Sequence, residues 1–168
     1  MRLRRGCSGW WIALLAAAAD RASKAAVARL WEASILSQPA RRRLIPGVLN
    51  LRMATNRGAA FSMFSGQTAA LAVLTLAVIA LILVWLIARP GEHPLQRAGL
   101  WMIVGGGLGN LYDRLVRGYV IDFLEPAFVR FAVFNVADIC ICAGAALVVL
   151  GMLAAELRKK KERAHGGV

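Results

Sequence analysis

The sequence predicts a mainly α, integral membrane protein of four transmembrane helices, and three observations carry that expectation. Of 168 residues, 59% are hydrophobic and 18% charged, and mean hydropathy is +0.59. Thr68–Ala88 is 21 residues without a charge, which at about 1.5 Å per residue covers a hydrocarbon core of roughly 30 Å. Five of the nine acids, Asp20, Asp113, Asp122, Glu125 and Asp138, fall at or just beyond the outer ends of four apolar segments. The formal charge of +12 does not change this reading. A basic soluble nucleic-acid binder needs a charged surface all round, so no nucleic acid is expected as a partner. The apolar content excludes disorder, and the length fits one membrane domain, 1–168.

Each span follows from its own stretch of chain. The first, 9–29, starts as the short apolar run Trp10–Ala19 and reaches full length only by continuing through Asp20, Arg21 and Lys24. Arg2, Arg4 and Arg5 followed by a run ending in Ala16–Ala19 also fit a cleavable secretory signal, which would leave three spans. The second span is 68–88. The third, 95–114, has 15 uncharged residues from Ala98 to Tyr112 and needs interfacial ends. The fourth, 133–155, contains the uncharged Ile139–Ala155 and must include Asp138. Beyond it, the basic tail 156–168 reads as an anchor on anionic headgroups of the membrane lipid. Between spans lie outer loops 30–67 and 115–132. Leu49, Leu51 and Met53 alternate with polar Asn50 and Arg52 in the first, a strand pattern. Phe128–Val133 is a weaker strand or interfacial segment. Four spans put both termini on one side with ten basic residues, against nine on the other. Only their clustering beside the termini favours cytoplasmic ends.

A charge inside a membrane marks a functional hypothesis. Asp138 stands three residues after Asn135, so the two share a helical face. Asn135 as helix cap with Asp138 in the first turn is the plainer alternative. Asp122 is a lone acid among Gly118–Phe123, and by itself it reads as an exposed turn residue. Beside Asp138 it acquires a chemical meaning. Two carboxylates in a dry site cannot both ionise; one then takes a proton from water while the protonated one polarises a carbonyl. Asn110 and Asp113 share a face of the third span, and Arg114 can hold a carboxylate ionised. Asp20 and Lys24, four apart, can pair along the first helix. Gly105 and Gly109 form a small-xxx-small pair for close packing. Asn56 can offer its amide to a substrate backbone, with Gly58 allowing a tight turn.

Other chemistries fit poorly. His93 and His165 lie in a turn and in the tail, so a Ser-His-Asp triad at the outer face has no base and zinc is ill served. No metal and no cofactor are expected. Cys140 and Cys142 read as small apolar residues, and Cys7 precedes the first apolar run, where it does not fit a lipidation site.

Five motifs stand in order along the chain: Asp20–Lys24, Asn56–Phe61, Gly106–Arg114, Gly118–Phe123 and Phe134–Asp138. Together they resemble lipoprotein signal peptidase (signal peptidase II) of bacteria from about Trp10 to Ala155. The resemblance implies an inner-membrane aspartic peptidase, four helices with an outer-face β-cradle, that removes signal peptides from prolipoproteins. It would cut just before the diacylglyceryl-modified cysteine. It assigns Asp122 and Asp138 as the catalytic pair. Asn110, Asp113, Arg114 and Asn135 then line the site, with Asp20, Lys24, Asn56 and Gly58 in support. It also argues that the first helix is retained. Arg21 stands where the family more often has Gln, and Arg41–Arg43 makes an unusually basic outer loop. Such an enzyme would admit the substrate's signal helix sideways, with small residues of the third span permitting close approach. The competing class is a proton-coupled carrier relaying protons through Asp20, Asp113 and Asp138, for which acids nearer the midplane would be expected. A non-catalytic assembly factor is the third alternative.

Overall fold

The computed structural model describes residues 9–32, 41–58 and 66–165. The sequence features at Arg2, Arg4, Arg5, Cys7 and Ala59–Ser62 lie outside that range. Four helices and a three-stranded antiparallel sheet follow in the order α1 (Trp10–Glu32), β1 (Arg42–Ile45), β2 (Leu49–Asn56), α2 (Thr68–Ala88), α3 (Pro94–Arg117), β3 (Val120–Pro126) and α4 (Val136–His165).

Burial is arranged inside out. α2 is apolar all round yet buries only Ala72, Ile79 and Leu86, one residue every seven. Its other large side chains face outward, with Val73 68% and Leu81 69% exposed. α1 buries Ala13, Ala16, Asp20, Lys24 and Val27 along one face and exposes Trp10, Trp11, Leu14 and Leu15. Charges turned inward and leucines turned outward suit a hydrocarbon surround. By length and composition, α2 and α4 are long and apolar enough to cross a membrane.

α3 is the central helix and touches each of the other three. Its glycines set the distances. A Cβ on Gly105 would lie 2.7 Å from Ala16 Cβ, and one on Gly109 would lie 2.9 Å from Asp20 Cγ. Gly106 faces Ala137 of α4, and Gly107 faces Ile79 of α2. The expectation that these small residues leave room for an incoming helix is therefore corrected: the protein's own helices occupy them. Pro94 opens α3, where a missing N–H costs nothing, and His93 accepts from the Leu95 N–H at 3.3 Å. Gly118, at φ 75°, closes it in the left-handed conformation.

The sheet joins the ends of the helices. β2 is the strand expected from the Leu49–Met53 alternation, and it pairs with β3 from Leu49↔Pro126 to Asn56↔Val120. Strand structure in the second outer loop lies at Val120–Pro126, upstream of the expected Phe128–Val133, which forms no strand; the next residue, Phe134, makes an isolated bridge to Leu124. The physical reason is burial: Val120–Glu125 are all buried, whereas Phe128–Phe131 are exposed. α4 begins at Val136, three residues after the expected start of the fourth span, and remains helical through most of the basic tail.

Candidate active site

A layer of buried polar side chains crosses the molecule where the helices meet the sheet. Lys24 is its hub and is fully buried. Its ammonium lies 2.8 Å from Asp20 and 2.9 Å from Asp113, and it donates to Asn110 Oδ1 at 3.0 Å. Two buried carboxylates around one cation keep its charge compensated. Asp20 also accepts the Ala137 N–H at 3.0 Å, one of the donors left open at the start of α4. Asp113 accepts the Ile121 N–H at 3.4 Å and pairs with Arg21 at 2.7 Å and with Arg117. One carboxylate of α3 thus ties α1, α3 and β3 together.

The second tier faces a cavity. Asn110 takes Lys24 on its oxygen and donates its amide to Asp138 Oδ1 at 2.8 Å. Asn135 donates to Asp122 Oδ1 at 2.6 Å and to Asn110 Oδ1 at 3.1 Å. Asn56 donates to the other Asp122 oxygen at 3.0 Å. Asn135 and Asp138 also cap α4 reciprocally: each accepts the other's backbone N–H, at 3.0 and 3.1 Å. Asp122 and Asp138, from a strand and a helix, are therefore linked through two amide side chains. Both line one cavity of about 740 Å³, walled by Leu71, Leu74 and Thr75 of α2 and by Ile139 and Cys142 of α4.

Burial pushes the Asp122 carboxyl up, and the neighbouring Asp138 charge adds to it. The Asn56 and Asn135 hydrogen bonds pull the other way, and the result is about 6. Asp138 sits in the first turn of α4, where the helix dipole favours an anion.

A family model described as signal peptidase (SPase) II matches residues 12–154 of this chain. The chain belongs to the signal peptidase II family. Among curated relatives, the lipoprotein signal peptidase of Thermosynechococcus vestitus is 40% identical over 135 residues, 80% of this chain and 84% of that protein. That of Gloeobacter violaceus is 36% identical, covering 89% of this chain and 83% of that one. A solved bacterial membrane enzyme at 23% identity shares the fold, with a TM-score of 0.76 over 89% of each chain. As a member of the signal peptidase II family, the protein is a peptidase.

The structure brings together all ten residues singled out from the sequence of this signal peptidase II chain, with changes in what some of them touch. Asp122 is 3% exposed in a strand, not an exposed turn residue. Arg114 has no carboxylate partner within ion-pair distance among the described residues; it donates to the Gly58 carbonyl at 3.0 Å and lines the cavity. Arg21 and Arg117 pair with Asp113 instead, since they flank it from α1 and from the next helical turn. The Asn56 amide is directed at Asp122, and its oxygen accepts the Gly58 N–H at 2.9 Å, forming the turn. Arg21 and Arg117 were missed by sequence reasoning. The four-residue spacing of Asp113 and Arg117 was the available signal. Arg21 also lies 4.1 Å from the Tyr112 ring centre, a contact with no local sequence signature.

Proposed function

We propose that this protein is an aspartic endopeptidase of the bacterial inner membrane that removes signal peptides from prolipoproteins. It crosses four times with both termini cytoplasmic, and it cuts just before the diacylglyceryl-modified cysteine at the periplasmic face. The observation that carries the reading is the joint placement of Asp122 and Asp138 on one apolar cavity, coupled through Asn110 and Asn135.

In this reading Asp122 holds the proton and Asp138 is ionised. Asp138 takes a proton from water as the water oxygen bonds to the scissile carbonyl carbon, and Asp122 gives its proton to the carbonyl oxygen. Collapse of the tetrahedral intermediate breaks the C–N bond. Asp138 passes its proton to the leaving nitrogen, and the hydroxyl proton returns to Asp122. The products are the signal peptide's carboxyl and the free amino group of the modified cysteine. The apolar walls suit a signal helix and acyl chains, and they keep water scarce around the pair.

The test is cleavage of a diacylglyceryl-modified prolipoprotein by purified enzyme. Asp122→Asn and Asp138→Asn should each lower kcat by about 10³-fold or more while the protein stays folded. A folded variant that keeps its activity removes that aspartate from the chemistry. Folded wild type that cleaves nothing returns the carrier reading to the front.

A further inference from the structure

Beside the catalytic cavity lies a second depression of about 590 Å³. Phe131 and Ala132 line both and separate them. Arg41, Arg52 and Arg130 border the depression around a single acid, Glu125. Arg41 and Arg52 hold that carboxylate at 2.6 and 2.9 Å. Arg42 and Arg43 of β1 add two more exposed cations. The surroundings are not those of a water-facing edge, where polar residues and lysine are usual. Leu44, Ile45 and Val48 at the hairpin tip are about half exposed, and Phe128 is 74% exposed. The Ala127 N–H donates to the Val48 carbonyl at 2.9 Å, so the two apolar tips belong to one surface. Arginines clustered beside exposed aliphatic and aromatic side chains are the pattern of an element lying in a membrane interface.

We propose that the β1–β2 hairpin and the 127–131 loop rest on the outer leaflet, taking anionic phospholipid phosphates on Arg42, Arg43 and Arg130 while their apolar tips enter the headgroup boundary. The proposal rests on the membrane-spanning reading above. An acidic polypeptide would use the arginines but leave Leu44, Ile45, Val48 and Phe128 in water, so the surface favours lipid. Seated this way, the sheet holds the mouth of the neighbouring cavity at headgroup depth.

The experiment uses the full chain in nanodiscs of phosphatidylcholine, alone or mixed with phosphatidylglycerol. Amide exchange over 42–48 and 127–131 and retained phosphatidylglycerol by native mass spectrometry are read out, with cleavage measured in the same discs. Wild type should show slower exchange in the anionic discs. Arg42→Gln/Arg43→Gln/Arg130→Gln, which leaves Arg41 and Arg52 on Glu125, should lose that difference and bind the anionic lipid about fivefold more weakly per arginine. Leu44→Ser/Ile45→Ser/Val48→Ser should speed exchange in both lipids. Exchange indifferent to lipid charge, or unaltered by the arginine substitutions, overturns the proposal. So does equal protection by inorganic phosphate, or protection by an acidic peptide alone. Cleavage with an indifferent hairpin defeats this inference and spares the peptidase reading; a lipid-protected hairpin without cleavage does the reverse.

Discussion

Asp122 is held by the side-chain amides of Asn56 and Asn135, whereas Asp138 is held by the Asn135 backbone N–H and the Asn110 amide. Burial without a backbone donor leaves Asp122 protonated to about pH 6. A pair that needs one proton loses it above that value, so kcat/KM should fall as pH rises through about 6. Asn56→Ala removes a hydrogen bond that lowers the Asp122 value, so the falling limb should move to higher pH, as a pH–rate profile would show. Stability carries the same sign. The folded value lies above the ordinary 3.8, so the contribution is complete below about pH 4 and lost as pH rises through about 6. The loss is about 3 kcal/mol and should vanish in Asp122→Asn, measured by denaturation in micelles. Lys24 is a different case, since it compensates two buried carboxylates. Lys24→Met should cost about 3–5 kcal/mol by the same measurement, and it should abolish activity by freeing Asn110.

The third helix decides how the elements meet. It lies against all three others, and glycine at 105, 106, 107 and 109 lets their backbones approach. At Gly109 the neighbour is Asp20, which also pairs with Lys24 and accepts the Ala137 N–H at the start of α4. Gly109→Ala should therefore cost about 1–3 kcal/mol and lower activity, because the displaced carboxyl unseats Ala137 and with it the Asn135–Asp138 cap. Gly91→Ala, with open space around it, should leave melting and cleavage unchanged. Lost melting temperature at both positions would show that backbone freedom, not the contact with Asp20, sets the requirement.

At the scale of the molecule, charges lie on the inside and hydrocarbon on the outside. Asp20, Lys24 and Asp113 are fully buried while Leu81, Leu115 and Leu157 are each about 70% exposed. The proposed cytoplasmic placement of both termini rests on the clustering of basic residues beside the two termini, Arg158–Arg163 at the end of α4 among them, because the totals of ten and nine on the two sides are nearly balanced. A reporter fused after Val168 should read as cytoplasmic. Exchanging Arg158, Lys159, Lys160, Lys161 and Arg163 for Gln should give mixed topology in the same assay. A reporter found outside in the unaltered protein would invert the whole arrangement, active site included.

The sequence by itself determined α2, because an apolar run long enough to cross a bilayer is a local property, as Thr68–Ala88 shows. It also determined β2 by alternation, and that Asp20, Asp113, Asp122 and Asp138 gather; Glu125, expected with them, lies apart on Arg41 and Arg52. It misplaced the second outer strand, since the residues of β3 are buried against Val27 of α1 and Leu49 and Leu51 of β2, which are distant in sequence. It left Asp122 in a turn for the same reason. Only the tertiary structure decided which donor meets which carboxylate: Asn56 on Asp122, Arg21 and Arg117 on Asp113, and Arg114 on the Gly58 carbonyl. Spacing along a chain fixes which residues share a face, but a hydrogen bond needs atoms within about 3 Å, and that distance is set by how closely the glycines of α3 let its neighbours approach.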